Sequence, residues 1–407
     1  MVADLCCKLK AALRLMRDQT CIAKAFISTN KKNYINNGGF SKIEIALLRA
    51  TAHGNNSNDN VDSDNNNYKL ENEILFLVSD NPGSVIFLAE RLTCRLAKTK
   101  DLRVALKTLV LVHRLLRGGS RGFEQHLRAA YLSGHLQISL NQNIKRSNRL
   151  LQFLNNYAAH LEERLDWYIN QSGKLEPVVV EVIQQKLHHL HQFDGGNDNN
   201  NYTDRESERR MESLVMRILK YLHFLDSIMN CSPFDLVLAD KNNKGLAIAA
   251  LRSTLKESFQ VYMSLWDSVV TLMNMFFDLP KGARELACDV LKRAAKQSQE
   301  LCNFYINCRG VIEEHHNYQS NNRQFVLNYP SIDIITMDHL MAMEQLNSAD
   351  DSVPPFFTFS RPSYLSSFSS SSLIHEGCGD ENSSLQPSLF SCKLETKVSK
   401  VWVVFDD

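Results

Sequence analysis

Proline and glycine are scarce in this 407-residue chain, at 9 and 16 residues, which excludes collagen-like and Pro/Gly-rich disordered architectures. An excess of charge is also missing. The 46 Lys and Arg against 45 Asp and Glu leave a net +1, so nothing global marks a nucleic-acid binder, and any electrostatic function must be local. Apolar runs such as residues 109–112 fall far short of the roughly 20 residues that span a bilayer, which excludes an integral membrane protein. No Cys-x-x-Cys pair occurs among the ten cysteines. Cys6 and Cys7 adjoin and Cys302 and Cys308 stand six apart, so zinc binding and dithiol redox work have no support. The start of the chain is charged and lacks a secretory apolar core, from which reduced cysteines in the cytosol are expected.

At 44% hydrophobic and 22% charged residues, the chain has the composition of a folded protein, and apolar positions recur at helical spacing over most of the first 345 residues. All-α is the fold class this predicts. Val85, Ile86, Leu88, Ala89, Leu92 and Leu96 are read as lining one face of a segment opened by the turn at Asn81, Pro82 and Gly83. Residues 102–116 are apolar on more than one side, as expected of a central helix packed between others, and Gly118 and Gly119 stop it. Further amphipathic stretches fall at 150–167, 178–190, 207–229, 246–277 and 283–305, long enough for an extended bundle or stacked solenoid.

Three stretches break this pattern. Residues 54–67 and 194–206 carry Asn, Asp, Ser and Gly tracts and are expected to be loop insertions in a helical domain spanning 1–345. From 346 to 407 the chain turns Ser-rich and aperiodic, with Pro354 and Pro355 near its start, and is expected to be a largely disordered tail. Its last residues include Trp402, Val404, Phe405 and Asp406, an apolar and acidic peptide suited to docking on a partner.

Charge is distributed unevenly near the start. Residues 1–53 hold nine Lys and Arg against three acidic residues, whereas residues 54–80 hold six acidic residues and one Lys. Leu5, Leu9, Ala12, Leu13 and Met16 share one helical face flanked by Lys8, Lys10, Arg14 and Arg17. That is the pattern of an interfacial helix whose cations meet anionic lipid; an ordinary first helix packed on the bundle gives the same pattern.

Six stretches, in order, carry a family resemblance: Lys8-Leu-Lys-Ala-Ala with Asp18-Gln-Thr-Cys; Ile45-Ala-Leu-Leu-Arg-Ala-Thr-Ala-His53; Leu92-Thr-Cys-Arg-Leu-Ala-Lys-Thr-Lys100; Val104-Ala-Leu-Lys-Thr-Leu-Val-Leu-Val-His-Arg-Leu-Leu116; Leu161-Glu-Glu-Arg-Leu-Asp166; and Leu255-Lys-Glu-Ser-Phe-Gln-Val-Tyr262. Over residues 1–345 the chain resembles the ANTH domain of clathrin assembly proteins, in particular their plant branch. The resemblance implies a right-handed superhelical stack of helices extended by a helical bundle. It also implies recognition of phosphatidylinositol 4,5-bisphosphate, vesicle SNAREs of the VAMP type, and recruitment of clathrin through the tail, with adaptor complexes as further partners. Members hold inositol phosphates with a Lys-Ala-Thr-x-His stretch followed by closely set lysines and a His. Here Arg49 stands in the first Lys position ahead of Ala50, Thr51 and His53; the later cluster keeps Lys69 but has Asn67 and Leu70 where a Lys and a His or Tyr would sit. The expected consequence is weaker lipid binding, with the N-terminal helix contributing more of it. The plain alternative is that Arg49 and His53 only flank a helix C-terminus and favour its dipole.

Other constellations have little support. Gly118-Gly-Ser-Arg-Gly122 lacks the P-loop pattern and reads as a helix-ending turn. His188, His189, His191 and the Glu313-Glu-His-His316 run do not form His-Glu-x-x-His, and no nucleophile elbow or kinase signature occurs. Leu236-Val-Leu-Ala-Asp240 fits a clathrin box but lies in the folded part. No catalytic residue, metal site or cofactor is therefore expected. The sequence predicts a cytoplasmic peripheral adaptor at the plasma membrane, in clathrin-coated pits and vesicles and at the Golgi apparatus. Lipid contact is assigned to Lys8, Lys10, Arg14, Arg17, Arg49, His53 and Lys69, and clathrin contact to Trp402, Val404, Phe405 and Asp406. The competing reading is a soluble helical scaffold of the same fold that has lost specific lipid binding.

Overall fold

The computed structural model describes residues 18–24, 38–52, 62–78, 81–140, 149–178, 199–234, 243–279, 281–319, 328–330, 332, 340, 341 and 343–345, together with Leu13 and Met16. At 62–68, 199–208 and 314–319 the description is of backbone alone. The chain divides into two units, 1–359 and 360–407, and the described residues all belong to the first.

Helices dominate, as the periodicity predicts. They are α1 (Gly38–Ala50), α2 (Asp62–Val78), α3 (Pro82–Lys98), α4 (Leu102–Gly118), α5 (Arg121–Leu132), α6 (Arg149–Leu165), α7 (Asn199–Asn230), α8 (Lys244–Met275) and α9 (Lys281–Gln319). Residues 18–24 are also helical. A small antiparallel hairpin, β1 (Trp167–Ile169) paired with β2 (Leu175–Pro177), interrupts the series after α6. Trp167, expected to end a helix, opens β1 instead. The hairpin closes through Asn170, whose side-chain oxygen accepts from the backbone N–H groups of Ser172 and Lys174, and Gly173 takes a φ of 73° there.

The later parts of two expected loops are helix. α2 starts at Asp62, inside the 54–67 segment, and the sequence puts Asp62 and Asp64 in its first turn, where the helix dipole favours negative charge. α7 starts at Asn199, inside the 194–206 segment. Its opening residues read Asn199-Asn-Asn-Tyr-Thr-Asp-Arg-Glu-Ser-Glu208, which carries no apolar periodicity for a sequence reading to detect.

Local chemistry sets the helix ends around the centre. Asn81 caps α3 by accepting from the Gly83 N–H at 2.9 Å, with Pro82 in the first helical position. Ile86, read onto the apolar face of this helix, is 37% exposed and lies off its buried face. Asp101 caps α4 by accepting from the Arg103 N–H at 2.9 Å, and Ser120 caps α5 by accepting from the Phe123 N–H at 3.2 Å. Gly119 ends α4 with an ordinary φ of −73°, so its glycine is required by crowding rather than by a left-handed turn. A Cβ there would lie 2.3 Å from Phe123 Cδ1 and 2.9 Å from the Leu115 carbonyl oxygen.

α4 is the central helix, in contact with α1, α2, α3, α6 and α8. Its buried residues include Leu106, Leu109, Val112 and Leu115, all fully removed from solvent, as its all-round apolar sequence predicts. One hydrophobic core runs from Ile43 on α1 to Ile312 on α9. Leu340 and Met343 join it, and Lys292 of α9 pairs with Glu344.

A polar network sits inside this core. The Arg164 guanidinium is fully buried, and it donates from Nε to Glu257 Oε1 at 2.8 Å, from Nη2 to Glu124 Oε1 at 3.0 Å and from Nη1 to the Trp167 carbonyl at 3.1 Å. Glu124 in turn accepts from the Ile169 N–H at 3.1 Å, which ties the hairpin to α5. On the far side of Glu257, His113 Nε2 lies 2.9 Å from Oε2 and His160 Nε2 lies 3.8 Å from it. The outer ring nitrogens meet Tyr157 Oη at 2.8 Å and Ser227 Oγ at 3.1 Å. One buried charge cluster thus joins α4, α5, α6, α7, α8 and β1.

Candidate anion-binding site

The motif that matched the family's phosphate-binding stretch lies at the C-terminal end of α1. Arg49 is exposed in the last turn. Thr51 is fully buried: its hydroxyl donates to the Leu47 carbonyl at 2.9 Å and accepts from Arg95 Nε at 3.1 Å. Arg95 Nη2 also donates to the Thr51 carbonyl at 2.9 Å, and Lys107 Nζ donates to the Ala52 carbonyl at 2.7 Å. Two cations, one from α3 and one from α4, therefore satisfy the carbonyls that follow the end of α1, where the dipole is negative. Thr51 holds the turn and is not available to a ligand.

This convergence assembles a basic corner. Lys98 is one helical turn beyond Arg95 and exposed; Lys100 is exposed in the short connection to α4; Arg103 is one turn before Lys107 on the same face of α4. Among the described residues, Arg95 and Lys107 meet the end of α1, Arg49 stands in its last turn, and Lys98, Lys100 and Arg103 flank them across the α3–α4 junction, with the carboxylates of Asp18 and Asp101 nearby. Of these, Asp101 is occupied as the α4 cap, and Asp18 is buried against Arg95 Nη2 at 3.4 Å. Arg95 and Lys107 anchor the turn, while Arg49, Lys98 and Lys100 present charge to solvent beside the positive end of α4. Closely set cations at a helix N-terminus suit an anion with several phosphate oxygens.

The sequence-assigned residues fare unequally. Arg49 stands at this corner, and Lys69 is exposed on α2, the helix packed against α1. Lys8, Lys10, Arg14, Arg17 and His53 lie outside the described residues, as do Trp402, Val404, Phe405 and Asp406, and Leu236 through Asp240. Next to the N-terminal cations, Leu13 and Met16 are 57% and 66% exposed, so these two members of the apolar face are not packed in the core. Asp18, by contrast, is only 3% exposed and fixes that helix through Arg95. Sequence reading missed Arg95, Lys98, Lys100, Arg103 and Lys107. The available signal was their density across the α3–α4 junction, where five cations fall within residues 95–107.

The other place where titratable groups gather is sealed. His113, His160 and Glu257 bring one ligand-type atom each within 4.8 Å of one another, but their side chains are at most 1% exposed. Burial pushes His113 down to about 4, so its ring is neutral, with Nε2 2.9 Å from Glu257 Oε2. Burial alone would raise the Glu257 carboxyl. The His113 ring and the Arg164 guanidinium beside it overcome that and hold it well below the usual carboxylate range. The Arg164 guanidinium, 2.8 Å from Glu257, supplies the cluster's counter-charge, and the side chains of all three residues are sealed from solvent. Gly118 and Gly119 likewise form a helix end followed by the Ser120 cap, not a phosphate loop. Among the described residues, no helix is long and apolar enough to cross a membrane.

Comparison with known proteins places the chain. The family model of the ANTH domain matches residues 43–348. An Arabidopsis thaliana protein provisionally named a clathrin assembly protein is 40% identical over 410 residues, covering 100% of this chain and 96% of that protein. The clathrin coat assembly protein AP180 of the same plant is 26% identical over 360 residues, covering 85% of this chain and 50% of its own length. Among solved structures, the ENTH domain from epsin-2 in complex with phosphatidylinositol 4,5-bisphosphate aligns with a TM-score of 0.40 at 14% identity, over 74% of this chain and 100% of that one. The family match covers most of the chain, and the first relative matches it from end to end: this chain belongs to the ANTH domain family.

Proposed function

We propose that the protein is a peripheral membrane adaptor of clathrin-mediated endocytosis whose helical body docks on membranes containing phosphatidylinositol 4,5-bisphosphate. The carrying observation is the corner at which Arg95 and Lys107 brace the end of α1 and Arg49, Lys98 and Lys100 face outward. Lys69 and the N-terminal helix, with Lys8, Lys10, Arg14 and Arg17, add to the contact; the exposure of Leu13 and Met16 supports an apolar face entering the headgroup region. The names of the relatives support a role in clathrin coat assembly, for which the tail with Trp402, Val404, Phe405 and Asp406 is the proposed clathrin-binding element. Sorting of VAMP-type vesicle SNAREs and residence in coated pits and vesicles and at the Golgi apparatus complete the proposal.

The test is co-sedimentation of the full chain with neutral vesicles, with and without the bisphosphate lipid. Each basic residue near an anionic surface contributes about 1 kcal/mol, so removing Arg49, Lys98 and Lys100 together should weaken binding by about 3 kcal/mol, roughly a hundredfold. Binding that ignores both the lipid and the substitutions would leave the soluble-scaffold reading in its place.

A further inference from the structure

Three polar atoms inside the core have no hydrogen-bond partner, and they lie together. They are His113 Nε2, His160 Nε2 and Glu257 Oε2. Each comes from a different helix, α4, α6 and α8, and all three side chains are at most 1% exposed. Oε2 stands 2.9 Å from His113 Nε2 and 3.8 Å from His160 Nε2, and ligand-type atoms of the three residues all fall within 4.8 Å of one another. A buried polar atom without a partner is costly, and three at one spot require a shared one.

The opposite edges of the same groups are occupied. His113 Nδ1 meets Tyr157 Oη at 2.8 Å, His160 Nδ1 meets Ser227 Oγ at 3.1 Å, and Glu257 Oε1 accepts from Arg164 Nε at 2.8 Å. With each Nδ1–H donating to its hydroxyl, both Nε2 atoms carry a lone pair beside an ionised carboxylate oxygen. Three acceptors gathered in this way need a cation between them. Arg164 does not fill that place, because it lies on the Oε1 side and divides its charge between Glu257 and Glu124. Arg117 approaches Oε1 as well, at 3.9 Å.

We propose that His113 Nε2, His160 Nε2 and Glu257 Oε2 bind a zinc ion that ties α4, α6 and α8 together inside the core. Two imidazoles and a carboxylate are a zinc donor set. At bond lengths of about 2.0–2.2 Å, tetrahedral ligand atoms stand about 3.3 Å apart, and the separations of 2.9 and 3.8 Å fall on either side of that. The outer contacts are of the kind that holds metal ligands in place: hydroxyls on the far ring nitrogens fix the tautomer, and a guanidinium on the second oxygen orients the carboxylate. Ligation takes each imidazole in its neutral form, which burial already imposes on His113. The fourth position suits a buried water. Because the cluster is sealed from solvent, the ion is structural: it enters as the chain folds and leaves only when the helices part.

The experiment uses the untagged full chain, refolded from urea with zinc chloride and then separated from free metal. Mass spectrometry of the elements should find about one zinc ion per chain, and a chelator should remove it only once urea is added back. Zinc stripped from the folded chain would place the ion at the surface and overturn the site. His160→Gln should retain about tenfold less zinc, and undiminished zinc in this variant would put the metal elsewhere and overturn the site as well. Refolding with cobalt chloride reads the ligands without any substitution, which keeps the test open if the variant does not fold. Visible absorption of tetrahedral cobalt without a thiolate charge-transfer band supports the imidazole and carboxylate set; a thiolate band would overturn it. A wild-type chain that holds no metal, and shows the same urea midpoint with zinc as with chelator, would leave a metal-free polar network in place of the proposal.

Discussion

Arg164→Met is the substitution that most directly tests how the core is held. Methionine fills much of the arginine volume, so the packing loss is small and the electrostatic loss dominates. Arg164, at 0% exposed, neutralises Glu257 at 2.8 Å and Glu124 at 3.0 Å, and those carboxylates are only 1% and 3% exposed. Removing one partner of a buried pair costs about 3–5 kcal/mol. Here one guanidinium serves two carboxylates and the Trp167 carbonyl, so the loss should fall near the top of that range, about 5 kcal/mol. A domain's whole stability is about 5–15 kcal/mol, so the variant would be close to unfolding. Urea unfolding followed by circular dichroism reads the difference. Without the guanidinium, burial raises the Glu257 carboxyl above its unfolded value, a contribution present at low pH and lost as pH rises through the folded value. The deficit should therefore shrink from pH 7 to pH 5. A loss under about 1.5 kcal/mol, or one independent of pH, would show that the network is solvated or dispensable.

Wild-type protein should respond to acid in the opposite direction. Burial pushes His113 down to about 4 in the folded chain, against its ordinary value of 6.5, so its contribution is fully present above pH 6.5 and is lost as pH falls toward 4. That window corresponds to about 3 kcal/mol, and a urea midpoint that stays constant across it would contradict the neutral buried ring. Gly119→Ala should cost about 1–3 kcal/mol through the clash with Phe123 and the Leu115 carbonyl, measured by thermal melting; a neutral effect would mean that the α4–α5 turn yields freely. Asn81→Ala removes the α3 cap and should cost about 1 kcal/mol, whereas Asn81→Gly should cost only a few tenths.

Much of the fold was legible because its signals are local. The apolar period of residues 85–96 and the all-round apolar character of 102–116 return as the buried face of α3 and the central helix α4. Asn81 with Pro82, and Gly118 with Gly119, mark helix boundaries where short-range backbone chemistry demands them. Where the signal is polar, the reading stopped short. The first turns of α2 and α7 read Asp62-Ser-Asp-Asn-Asn-Asn67 and Asn199-Asn-Asn-Tyr-Thr-Asp204, and a helix without an apolar stripe looks like a loop in one dimension.

The sequence by itself determined the helical class, the central helix and the six stretches that announce the family. The tertiary structure alone decided which cations act together. Arg95 and Lys107 look like ordinary surface charges in sequence, yet they meet the carbonyls of Thr51 and Ala52 some 44 and 55 residues away. Arg164 reads as one polar position in an amphipathic helix, yet it carries the core's charge balance with Glu257, 93 residues on. Helix formation depends on neighbours within a turn, whereas pairing of charges depends on distances in space, and those are set only when the helices pack.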